Sequence, residues 1–165
     1  MHIKTEGATA KITNWNPRTE RHGEEEVMAG DIDIVTNQPV EVLGDIAVDL
    51  VDWRGFLYKD SGEVRSLCLE PLRFHREFTE MELAFLAANE DDDVVLSVHV
   101  NKVKKIVAEI ENGYRVNLKF QAQVEVDRDE SGAIHELEVV QGVAFELQKA
   151  DKQADIEDNK VVAMK

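Results

Sequence analysis

Tyr114-Arg115-Val116-Asn117-Leu118-Lys119-Phe120-Gln121-Ala122-Gln123-Val124-Glu125-Val126 alternates from one end to the other. Every second residue is apolar or aromatic, and every residue between is polar or charged. Successive side chains of a strand point to opposite faces, so this stretch is a long strand with one buried and one wet face. Such strands belong to antiparallel sheets, because parallel ones are buried on both faces. The stretch therefore sets the class as mainly β and antiparallel.

The segment before it, residues 103–110, supplies a hairpin partner. A two-residue Asn112-Gly113 loop would set Glu109 opposite Val116 and put a charge on the apolar face. A three-residue loop, Glu111-Asn112-Gly113, pairs Ile110 with Tyr114, Ala108 with Val116 and Ile106 with Leu118. A one-residue slip exchanges the faces, so the second register is expected. It also gives Gly113 the left-handed position that three-residue hairpins use.

Farther out, Ala8, Ala10 and Ile12 alternate, and so do Met28, Gly30, Ile32 and Ile34. They read as two antiparallel strands joined by a long polar connection with turn signals at Asn16-Pro17 and His22-Gly23. Leu67, Leu69 and Phe74 form a strand pattern that Pro71 places at an edge or bulge. Met81, Leu83, Phe85 and Ala87 form another, and Val94 to Val100 a further one. Asp127 to Gly132 reads as a turn, and Leu137, Val139, Val143, Phe145 and Leu147 as the last strands. Over residues 38–54, Leu43, Ile46, Ala47 and Leu50 follow helical spacing, with Asn37 as a cap, Pro39 in the first turn and Gly55 at the end. The expected fold has about seven to nine antiparallel strands in a sandwich or partly open barrel, with one helix. An OB-like barrel is the form first considered for a nucleic-acid binder. Residues 1–150 form one β-rich domain, and 151–165 a polar, flexible tail. The hairpins over 10–35 and 103–126 resemble each other, as generic hairpins do.

The 165 residues suffice for one domain with a real core. A net charge of −15 favours solubility and repels nucleic acid at long range, without forbidding a local basic patch. Cys68 is the one cysteine, so no intramolecular disulfide or cysteine zinc site can form. Its apolar run predicts a buried, inert thiol in a reducing compartment. The first residues, Met1-His2-Ile3-Lys4-Thr5-Glu6, carry no apolar signal core, and no stretch approaches a membrane span. The expectation is a soluble protein of the cytoplasm, with no membrane contact.

No pattern points to catalysis. The five histidines lack metal-ligand spacing, and neither H-E-x-x-H, G-x-S-x-G, a P-loop nor a dinucleotide fingerprint occurs. Asp91-Asp92-Asp93 lacks the calcium-loop frame and reads as a charged turn. No enzyme activity, cofactor or metal is expected. What stands out is a local reversal of charge: Lys102, Lys104, Lys105, Arg115 and Lys119 lie in and around the strong hairpin. Trp15, Arg18 and Arg21 lie in the first polar connection. Cations that meet phosphates, with rings that stack on bases, are how sheet proteins hold single strands. The plainer reading is a solvated outer face bridged to neighbouring Glu.

Ile12-Thr13-Asn14-Trp15-Asn16-Pro17-Arg18, His22-Gly23-Glu24-Glu25 and Val27 to Ile34 resemble the opening of a largely uncharacterised family of β-rich phage and prophage early proteins. Leu57-Tyr58, Leu69-Glu70-Pro71-Leu72-Arg73-Phe74 and the 100–126 segment follow in the same order. The genes of that family lie among replication and recombination genes. The resemblance implies a phage accessory protein of DNA replication or recombination, acting in the host cytoplasm on single-stranded DNA or on a replication or recombination protein. Two alternatives have their own signatures. An acidic DNA mimic that inhibits a host defence or DNA-binding protein would space carboxylates regularly on one face. A structural or assembly module would expose a wide apolar patch. An exposed sheet edge would also allow a homodimer.

Overall fold

The fold is seen in a computed structural model that describes residues 1–47, 52–87 and 91–150. It is mainly β, with eight strands in one antiparallel sheet. The strands are β1 (Ile3–Lys4), β2 (Ala10–His22), β3 (Glu25–Pro39), β4 (Leu72–Phe74), β5 (Phe78–Leu86), β6 (Val94–Glu111), β7 (Arg115–Val126) and β8 (Ala144–Lys149). Three helices accompany them: α1 (Val42–Ile46), α2 (Trp53–Leu57) and α3 (Arg128–Val139). The order across the sheet is β1-β8-β5-β6-β7-β3-β2, and β4 pairs with β6 beside β5. The sheet bends until its ends touch. Ala10 and Val143 exchange backbone hydrogen bonds of 3.0 and 2.8 Å, an isolated bridge rather than a closed seam. This is the open form of the expected architecture.

One core fills the bend. The strand quoted first gives it Val116, Leu118, Phe120, Ala122 and Val124, all buried as its alternation requires. Ile32 and Ile34 of β3, Leu83 and Phe85 of β5 and Phe145 and Leu147 of β8 join the same cluster. Pro39 pairs with Arg115 at one end of the β3–β7 ladder, and Met28 with Val126 at the other. α1 therefore leaves one end, burying Val42, Leu43 and Ile46, while α3 leaves the other and buries Ile134.

Several expectations are corrected. Residues 15–23 are not a long connection: β2 runs through to His22, and Gly23-Glu24 turns directly into β3. Pro17 is tolerated there because β2 is an edge strand whose outer side need not donate. The hairpin register is Glu111–Arg115, Ile110–Val116 and Ala108–Leu118, two residues from the expected one. A slip of two keeps every side chain on its own face, so the face argument removes only odd slips. Tertiary contacts choose among the rest: Val64 N donates to Asn112 Oδ1 at 3.0 Å, and Gly113 N to Gly62 O at 2.8 Å.

Residues 128–139 form a helix where a turn and a strand were expected. Its capping box joins Asp127 and Glu130 reciprocally, at 2.8 and 3.0 Å. Leu67 and Leu69 are exposed rather than strand-like, because a 3-10 turn over Ser66–Cys68 precedes the short β4. Cys68 is half-buried in that turn. Ala8 is exposed before β2 begins. The single helix over 38–54 is instead α1 and α2, and Leu50 and the 151–165 tail lie outside the described residues.

Candidate anion-binding face

The outer face of the sheet collects the cations. β7 shows Lys119, Gln121 and Gln123 outward, and the register sets Lys104 beside Gln121 and Lys102 beside Gln123. A bulge between Lys104 and Val107 adds a residue to β6, and Lys105 adopts a left-handed φ of 54° there. Bulges re-aim side chains, and this one crowds two lysines into adjacent outward positions. Across the sheet at the same level, a second bulge lies between Ile12 and Asn14 of β2. Between the two bulges runs a shallow groove of about 330 Å³, lined among others by Thr13, Asp33, Val35, Lys105, Val107 and Lys119. Asp33 is tied down within it, since Gln121 Nε2 donates to its Oδ1 at 2.8 Å.

The eight residues singled out in the sequence have different fates. Lys104 and Lys105 have no ion-pair partner among the described residues. Lys102 pairs with Glu77 at 3.2 Å, and Lys119 with Glu109 at 2.9 Å, both at the surface. Arg115 is held structurally: its Nε donates to Asn37 Oδ1 at 2.7 Å and its Nη2 to Asn37 O at 3.2 Å. Arg18 is engaged by Glu20 at 2.6 Å and Asp31 at 3.1 Å. Arg21 is exposed near the tip of the β2–β3 hairpin, opposite Glu26.

Trp15 overturns its expected role as a base-stacking ring. Only 7% of it is exposed, and it packs in the core. The bulge at Ile12–Asn14 shifts the alternation by one and turns residue 15 inward. Its ring lies over Gly30, where a Cβ would come within 2.5 Å of Trp15 Cη2 and Cζ3. Its indole N–H has no hydrogen-bond partner among the described residues.

Two cations of the face were missed. Arg73 lies opposite Val107, Val107 opposite Lys119, Lys119 opposite Val35, and Val35 opposite Lys11. Strands lie about 4.8 Å apart, so Arg73, Lys119 and Lys11 stand at intervals of about 10 Å in one row across five strands. Strand order makes this row, and a single sequence carries no local signal of it.

Among the described residues no three His, Cys, Asp or Glu side chains gather as a metal site. The largest titration change lies elsewhere, under the β6–β7 turn. Burial pushes the Tyr58 phenol up to about 12, aided by the charges of Glu111 and Glu41. Its OH donates to Arg115 O at 2.8 Å. No helix among the described residues is long and apolar enough to cross a membrane. No protein-family model, curated protein or solved structure matches the chain.

Proposed function

We propose that this protein is a non-enzymatic accessory of DNA replication or recombination, of the phage type its sequence resembles, that holds single-stranded DNA across the outer face of its sheet. The observation that carries the reading is the cluster of Lys104 and Lys105, without ion-pair partners among the described residues, with Arg73 in the neighbouring strand, on a chain of net charge −15. Lys104 and Lys105 meet phosphates directly. Lys102 and Lys119 do so by exchanging a surface carboxylate for a phosphate, which costs little because exposed pairs are weak. Asp31 and Asp33 keep the strand toward β6 and β4. Across the ladders Asp31 faces Gln123 and then Lys102, and Asp33 faces Gln121 and then Lys104, so carboxylates do not repeat from strand to strand with the regular spacing of an acidic mimic.

Fluorescence anisotropy of a labelled oligo-dT tests the reading. Binding is expected at low salt and weakens as salt rises, with a log–log slope of about −2 to −4 for three to five phosphates neutralised. K104E/K105E abolishes it. Unchanged binding by that variant removes the face from the reading, and no binding even at low salt refutes it. A protein partner is then the next reading, favoured by the exposed Phe56, Leu67 and Leu69 on α2 and the 3-10 turn.

A further inference from the structure

Resting on the reading of this face as a single-strand site, we infer that its ligand is the sugar–phosphate backbone alone, gripped at Arg73, Lys104 and Lys105, with no stacking of bases. The chain has two Trp, two Tyr and six Phe, and the structure accounts for all of them. Trp15, Tyr58, Phe85, Phe120 and Phe145 are buried in the core, and Phe74 and Phe78 pack against it. Trp53, Phe56 and Tyr114 gather instead at α2 and the β6–β7 turn, where Tyr114 lies 4.9 Å from Tyr58. The rings nearest the three cations, Phe74 and Phe78, pair with the buried Ile106 and Val103 and so lie on the core face, not on the outer face that carries the lysines. Single-strand binders that stack bases need rings on the binding face.

The cations are also built as a point of grip. Phe74 pairs with Ile106 and Phe78 with Val103, so the break between β4 and β5 falls opposite the bulge that carries Lys104 and Lys105. Arg73 stands on β4 opposite Val107, one residue outside the break. A kinked strand facing an interrupted one sets three like charges near a gap whose one carboxylate, Glu77, is engaged by Lys102, and a bridging anion relieves the repulsion of the three.

The test compares labelled oligo-dT with a strand of equal length made only of abasic sites. Equal affinity within about twofold is expected, because each stacked base would be worth roughly tenfold or more. R73Q, K104Q and K105N should each flatten the salt slope by about 0.7, equally for both strands. Asn is chosen at 105 because it accepts the left-handed backbone there. An abasic strand that binds tenfold weaker overturns the backbone inference and leaves single-strand binding standing. If neither strand binds at low salt, the functional reading falls and this inference with it.

Discussion

The two long hairpins sit side by side in one sheet and are secured in opposite ways. β6–β7 is fixed at its turn. Tyr114, left-handed at φ 62°, stacks against Tyr58 and lies under Arg54 at 4.4 Å, and Val40 N donates to its carbonyl at 2.9 Å. β2–β3 is fixed in its middle, where Trp15 crosses Gly30 and α3 packs along β2, and its distal half carries ion pairs such as Arg18–Glu20. A hairpin tied at its turn keeps its outer face fixed along its length. One tied at its middle leaves its tip to solvent. The cations proposed to grip a ligand stand on the first kind.

Trp15→Ala should cause the largest loss. Removing a buried Trp costs about 3–5 kcal/mol of stability, read by urea denaturation. Trp15→Phe should cost less, because it keeps most of the ring and removes the unpartnered indole N–H. Gly30→Ala should cost about 1–3 kcal/mol by overpacking against the same ring. If Trp15→Ala cost under about 1 kcal/mol, the middle of β2–β3 would not be the anchor, and the contrast would fail.

The same contrast explains what the sequence revealed. β7 was legible because one face is buried along its whole length, so alternation runs unbroken from Tyr114 to Val126. The distal half of β2 was not, because beyond Trp15 no residue through His22 is buried and the pattern loses its apolar phase. Bulges hid the rest. One extra residue at Thr13 turned Trp15 inward, and another at Lys105 set two lysines side by side. α3 was masked by an Asp-Arg-Asp-Glu-Ser-Gly start that reads as a turn, although Asp127 and Glu130 already hold capping-box spacing. Of the candidate face, Lys102, Lys104, Lys105 and Lys119 were visible as a local charge reversal. Arg73 and Lys11 were not, since they join only through pairings between strands distant in sequence.

Tyr58→Phe probes the anchored turn and should have an intermediate effect. It deletes the hydrogen bond to Arg115 O, at a cost of about 1–2 kcal/mol near neutral pH. It should also change the alkaline limb. The phenol titrates at about 12 when folded and near 10 when unfolded, so its contribution to stability is complete below pH 10 and is lost as pH climbs toward 12. Urea denaturation from pH 8 to 12 should show the native protein weakening over that window and Tyr58→Phe weakening less. Parallel curves would mean that burial of this phenol does not hold the turn.

Glu20→Gln probes the free tip and should have the smallest effect. The hydrogen bond from Arg18 holds the Glu20 carboxyl below its usual range, with His22 adding to it. A depressed carboxyl stabilises the fold above its unfolded value of 4.5, and the contribution disappears as pH falls through the lower folded value. Thermal melts should separate the native protein from Glu20→Gln slightly at pH 6–7 and bring the two together on acidification. Because the pair is open to water, added salt should also close the gap. A separation that survived both acid and salt would mean that the tip is secured by something other than its charges, and the opposition between the two hairpins would narrow to their turns alone.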